Sequence, residues 1–226
     1  MRTDRGRNQS HSPAMRIFRL WRKETVAVSL METTTPDHKK SGLVAAVLDS
    51  EWEMFQQVKS AYPVSCQQSP QTFRQVRGSI FEQWTEEMLV SYLGDLRKAK
   101  QEGRNLLTEK YARMDNRLPR TNFHPLIDAV VAIETDWQLE IKEKYPYLYS
   151  RVCRGSDATD DGRNFSVYLR CELETYGERT IELYHQQVRN YRRQDVNLSL
   201  KMLERLAIKS GFKDLDHAEA HCAGHQ

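Results

Sequence analysis

Glu102-Gly-Arg-Asn-Leu-Leu-Thr-Glu-Lys-Tyr-Ala-Arg-Met114 is the stretch on which the reading of this fold turns. Gly103 suits the residue just past a helix end, where the left-handed conformation costs glycine nothing. Asn105, two residues on, has a side chain that can accept from the first free N–H groups of a new helix. The stretch therefore reads as one helix stopping and another starting, the second running through Met114. Upstream, Phe73, Val76, Ile80, Phe81, Trp84, Met88, Leu89, Tyr92 and Leu96 recur at spacings of three and four. That period predicts a single long helix from Phe73 to about Gln101. Gly78 and Gly94 soften it, because glycine costs about 1 kcal/mol in a helix interior. Downstream, Asp115 to Pro125 is a loop with two prolines.

Further upstream, Ser41 is the expected cap of a helix carrying Val44, Val47, Leu48, Trp52 and Phe55. It ends before Tyr62-Pro63, since the residue preceding proline disfavours the α region. Val64 to Gln71 then reads as a loop. The second half of the chain follows the same plan. A helix from Leu126 to Lys144 ends at Tyr145-Pro146, a polar loop spans Ser150 to Asn164, and a long helix is expected from Phe165 to Arg193. Asn197 restarts a helix that ends at Gly211.

Sliding Phe73 onto Phe165 without a gap pairs Glu82 with Glu174, Glu86 with Glu178, Tyr92 with Tyr184, Arg97 with Arg189, Asn105 with Asn197, Leu106 with Leu198 and Arg113 with Arg205. Asp49-Ser-Glu-Trp52 matches Glu134-Thr-Asp-Trp137 separately. The expected architecture is all-α: a bundle of about six to eight helices built from two pseudo-equivalent units, 41–120 and 121–211. Each unit buries an apolar stripe against the other.

The runs Glu51-Trp-Glu-Met-Phe55, Ser65-Cys-Gln67, Arg77 to Trp84 and above all Glu102 to Met114 resemble a bacterial and fungal family known as domain of unknown function 4125. The resemblance covers about residues 43–215. It implies no activity, cofactor or catalytic residue. The basic N-terminus and the His-rich C-terminus depart from the family's pattern.

Composition agrees with a helical, soluble protein: 39% apolar and 29% charged residues, with few Gly and Pro. No apolar run approaches the roughly 18 residues of a membrane span, so no membrane association is expected. Cys66, Cys153, Cys171 and Cys222 form no CxxC pair, which suits free thiols in a reducing compartment such as the cytoplasm. Nine of the 34 Lys and Arg, but four of the 31 Asp and Glu, fall in residues 1–40. The remainder is slightly acidic, and nucleic acid is not an expected partner. Residues 1–40 read as a disordered basic extension, a mitochondrial-type presequence, or a start placed too early, with Met15 and Met31 as alternatives. Residues 212–226 read as a flexible His-rich tail.

Several constellations bear on chemistry. Glu82/Glu86 and Glu174/Glu178 suggest the carboxylates of a di-iron bundle. Only Glu182-Leu-Tyr-His185 supplies the required histidine motif, so pairing with arginines is the better reading. Arg179 and His185 have the spacing of a HEPN-type ribonuclease motif, but sit about 120° apart on a helix. Cys66 is a loop thiol that would need a base to act as a nucleophile. His217, His221 and His225 form a stripe with adventitious metal affinity. Trp52, Trp84 and Trp137 are expected in the core.

Asn105 is repeated as Asn197 and so reads as scaffold. Arg104 and Glu109 are replaced by Val196 and Lys201, which makes them better site candidates. The leading expectation is an enzyme or binding protein for a small molecule in a cleft between the halves. Glu51, Arg77, Arg104 and Glu109 are its candidate catalytic residues, and specialised metabolism is a fitting setting. No cofactor is indicated. The alternatives are a non-catalytic interaction module, with a homodimer as one form, and a HEPN-like ribonuclease.

Overall fold

The computed structural model describes residues 36–59, 67, 69–153 and 164–224. Among these residues there are ten α-helices and no strand. They are α1 (Pro36–Gln56), α2 (Pro70–Phe81), α3 (Glu86–Gln101), α4 (Leu106–Met114), α5 (Pro125–Lys144), α6 (Pro146–Val152), α7 (Phe165–Leu173), α8 (Glu178–Arg193), α9 (Leu198–Lys209) and α10 (Leu215–Ala223). The all-α class is as expected. The helix number is higher than expected because each predicted long helix is two helices and because α6 and α10 form where a loop and a tail were expected.

The first break lies at Glu82–Thr85. Thr85 has an extended backbone, and its hydroxyl accepts from Met88 N at 3.2 Å, so α3 starts anew with its own cap. The second break lies at Glu174–Gly177. There the Gly177 N–H donates to Asp95 Oδ2 at 2.9 Å, and a Cβ on Gly177 would stand 2.4 Å from Asp95 Oδ1. Periodicity hides both breaks because Trp84 and Tyr176, in the turns, still point into the core.

The turn around Gly103 is the predicted one. Gly103 has φ +68, its N–H reaches Lys100 O at 3.1 Å, and Arg104 N reaches Ala99 O at 2.8 Å. This double bond is the Schellman closure of a helix. Asp195, with φ +55, closes α8 in the same way, through Asp195 N to Arg192 O and Val196 N to Tyr191 O. Asn105 then caps Thr108 N at 2.9 Å and donates to Met54 O at 2.8 Å. Asn197 caps Leu200 N at 2.8 Å and donates to Trp137 O at 3.0 Å.

Helix packing has the same two-fold character. α1 packs on α2, α3 and α4, and α5 packs on α7, α8 and α9. α2 meets α9, α4 meets α7, and α3 meets α8. Exchanging α1–α4 for α5, α7, α8 and α9 leaves this pattern unchanged. The contacts also correct the register of the first helix pair. Glu51 accepts from Tyr92, and Glu134 accepts from Tyr184. Met54 and Trp137 receive the two asparagines. Glu134 thus matches Glu51, two residues away from the tryptophan-on-tryptophan alignment. Trp137 is in the core and Trp52 is only partly buried.

Trp84, Tyr92, Met88, Leu89 and Phe81 sit at the centre of the main core, with Ile181 and Val188 facing them from α8. A second cluster joins Ile141, Tyr145, Leu148 and Tyr149 to Leu203, Leu215 and Cys222. Residues 215–223 are therefore a packed helix, capped by Asp214, and not the flexible tail expected. Ser41 lies inside α1 and does not cap it. α1 stops at Gln56, and α6 occupies the start of the expected 150–164 loop. The turn at Tyr62-Pro63, Cys66, His225 and the extension before Pro36 lie outside the described residues.

Candidate functional site

Between the two halves lies a cavity of about 260 Å³. Its walls are largely apolar: Phe55 from α1, Phe73, Val76 and Ile80 from α2, Leu106 and Leu107 from α4, and Phe165 from α7. Phe55 and Phe73 stack with centroids 5.2 Å apart and planes 21° apart. The α4 residues face the cavity because the turn at Gly103 and the cap at Asn105 set that helix against Met54 of α1.

Four charged side chains interrupt this lining: Glu51, Arg77, Lys110 and Glu172. All four are buried. Arg77 holds Glu51 through Nε to Oε2 at 2.7 Å and Nη2 to Oε1 at 2.5 Å. Nη2 also donates to Glu172 Oε1 at 2.8 Å. Lys110 Nζ donates to Glu172 Oε2 at 2.5 Å and stands 3.7 Å from the centroid of the Tyr168 ring. Tyr92 OH donates to Glu51 Oε1 at 2.7 Å, and Tyr176 OH to Glu172 Oε1 at 2.8 Å.

The cluster is neutral as a whole, and its members are held unequally. Burial opposes the charge on Glu172, but Arg77 and Lys110 together outweigh it and hold the carboxyl far below its ordinary range. Burial likewise opposes the charge on Arg77, yet Glu172 and Glu51 keep the guanidinium firmly protonated. At Lys110 burial prevails over the single carboxylate, and the amine is pulled below its ordinary value. Burial raises Tyr92 and Tyr176 well above theirs, with Glu51 adding to the first and Glu172 to the second. Cys153, also on the lining, is pushed up to about 12 by burial, so it is a thiol and not a ready nucleophile.

Among the described residues, the second half has no equivalent cluster. Glu134 accepts from Tyr184 OH at 2.9 Å and Ser199 Oγ at 2.6 Å, and no cation reaches it among the described residues. Burial raises its carboxyl. The positions matching Arg77 and Lys110 are Leu169 and Met202, and Glu172 is matched by Ile80.

Of the four candidates read from sequence, the structure brings Glu51 and Arg77 together on the cavity. Arg104 and Glu109 lie elsewhere. Arg104, half exposed, holds the largely covered Glu109 by Nε and Nη2 at 2.8 and 2.9 Å and reaches Glu102 at 3.2 Å, away from the cavity. Lys110 and Glu172 were missed. The signal for Lys110 was present, since it sits on the apolar stripe Leu106, Leu107, Lys110, Met114 and has an apolar counterpart.

Glu82 pairs with Arg205 and Lys209, Glu86 with Lys39, and Glu174 with Arg120. No group of three or more His, Cys, Asp or Glu able to hold a metal occurs among the described residues. Arg179 is engaged by Glu87 and Glu182 on the surface. No helix among the described residues is long and apolar enough to cross a membrane.

Against known families, residues 41–220 match the family described as "Protein of unknown function (DUF4125)". The chain belongs to this family. The match runs from α1 into α10 and takes in every residue of the cavity cluster. No curated protein and no solved structure matches the chain. The family's description carries no activity, so the cavity itself is the guide to function.

Proposed function

We propose that the protein binds a small, largely apolar molecule in the cavity between its two halves. One observation carries this reading. A cavity of about 260 Å³, with aromatic and aliphatic walls, holds a compact polar cluster contributed by both halves. Apolar pockets with a few convergent polar groups are the usual form of ligand sites. An apolar cavity of about 150 Å³ already takes benzene. This one suits a molecule of one or two rings. The apolar residues Leu169, Met202 and Ile80 at the matching positions of the other half support a role for the cluster's charges beyond holding the scaffold.

The interaction-module reading draws less support. Of the large exposed apolar side chains among the described residues, Leu118 and Phe123 share the loop between α4 and α5, and Val90, Leu139, Tyr147 and Ile208 stand on four different helices. The ribonuclease reading draws none from geometry, because Arg179 is already paired. Incubation of the purified protein with a metabolite mixture, gel filtration and mass analysis of the released small molecules tests the proposal. A single-site, stoichiometric ligand of low polarity is expected. Recovery of no ligand, or of one that still binds Val76→Trp, contradicts it.

A further inference from the structure

We propose that the ligand's polar group is a neutral carbonyl whose oxygen accepts from Arg77 Nη1 and Lys110 Nζ at one end of the apolar cavity. This rests on the small-molecule reading above and names the class of molecule.

The inference comes from what the cluster leaves unmet. Arginine has five N–H donors and an ammonium three. Arg77 spends Nε and both hydrogens of Nη2 on Glu51 and Glu172. Its Nη1 makes no hydrogen bond to a described residue, and it is not among the side-chain nitrogens sealed away without a partner. Lys110 spends one hydrogen on Glu172. Both Nη1 hydrogens of Arg77 and a hydrogen of Lys110, whose ammonium also lies over the Tyr168 ring, therefore remain on two cavity-lining residues.

The two carboxylates are nearly filled as acceptors. Glu51 takes Arg77 Nε, Arg77 Nη2 and Tyr92 OH. Glu172 takes Arg77 Nη2, Tyr176 OH and Lys110 Nζ. The site is rich in donors, so it selects an acceptor oxygen. Arg77 and Lys110 bind the two oxygens of one carboxylate, which sets both cations at the same end of the cavity.

Charge decides which oxygen. Two cations and two carboxylates already balance in a buried setting. A ligand carboxylate would leave a net negative charge there, which is costly away from water. A ketone, lactone or amide carbonyl fills the donors without that cost. A hydrocarbon leaves them unpaired, and sites built to hydrogen-bond a group discriminate strongly against analogues that lack it.

The test uses three compounds with one two-ring body: 2-acetylnaphthalene, 2-naphthoate and 2-ethylnaphthalene. Dissociation constants are measured by calorimetry on the full chain. The ketone is expected to bind at least tenfold more tightly than either of the others. Equal or tighter binding of the acid or of the hydrocarbon overturns the carbonyl assignment while leaving the cavity reading intact. Binding of none overturns both. In the charge-balanced Lys110→Met/Glu172→Gln, the ratio of the dissociation constants of 2-ethylnaphthalene and the ketone should fall to about one. A ketone preference that survives the double variant, in a protein that still unfolds cooperatively, removes Lys110 from the role.

Discussion

Arg77 on α2 grips Glu51 on α1 through two parallel hydrogen bonds, with the Glu51 side chain fully enclosed and the Arg77 side chain 10% exposed. The same guanidinium reaches across to Glu172 on α7, so one side chain ties both halves at the cavity. Such a group is exacting. Replacing a whole buried ionic cluster by apolar residues can be nearly neutral, whereas removing one member strands the others. Arg77→Met is expected to destabilise the protein by about 3–5 kcal/mol. Urea unfolding measures it, and a loss below about 1 kcal/mol would show that the cluster is not desolvated as described.

Glu134 and Glu172 give opposite pH signatures. Burial holds the Glu134 carboxyl above its ordinary value of 4.5, so its contribution is present below that pH and is lost as pH rises through the folded value. Glu172 is held far below 4.5, so its contribution is present above that pH and is lost as pH falls. Relative to wild type, Glu134→Gln should gain stability as pH is raised above about 4.5. Glu172→Gln should instead lose stability relative to wild type as pH is raised toward about 4.5 from below, and keep a constant deficit from there to about 7. Urea midpoints at a series of pH values separate the two, and parallel profiles for both variants would refute the assignment.

Two glycines of the first half are expected to respond in opposite directions. Gly94 is exposed in the interior of α3, with nothing within 4 Å of an added Cβ. Gly94→Ala should stabilise by about 0.5–1 kcal/mol. Gly103 also has open space but sits at φ +68. Gly103→Ala should cost about 1–2 kcal/mol, the strain of a left-handed residue. Thermal melts of both variants check the signs.

α10 is expected to contribute to stability. Leu215 is 6% exposed in the second core cluster, and Glu219 accepts from Tyr147 N and Leu148 N at 3.0 and 2.7 Å, capping the start of α6. Leu215→Ala should cost about 2–4 kcal/mol. An effect under about 0.5 kcal/mol, the usual range for surface sites, would mean that this segment is the frayed tail the sequence suggested.

Local chemistry in the sequence foretold much of the scaffold. Gly103, Asn105, Asn197 and Tyr145-Pro146 act where their residue types place them, because caps and turns depend on a few neighbouring atoms. The breaks after Phe81 and Leu173 were not legible. Their turns keep Trp84 and Tyr176 on the buried stripe, and the cap at Gly177 depends on Asp95, a residue of another helix. The site was half legible for the same reason. Arg104 and Glu109 were singled out for differing from their counterparts, but a surface pair can differ freely. The same comparison of Lys110 with Met202, joined to the position of Lys110 on an apolar stripe, points to the buried amine.

The cavity is the centre of the account, and ligand-dependent thermal stability measures it most directly. A ligand that binds only the folded protein adds about 2.7 kcal/mol at one hundred times its Kd. A library of small, low-polarity carbonyl compounds should contain members that raise the melting temperature of the wild type. The same compounds should leave Val76→Trp, in which an indole occupies the cavity, unchanged. If no compound shifts the wild type, or if the filled variant shifts equally, the cavity is not a binding site.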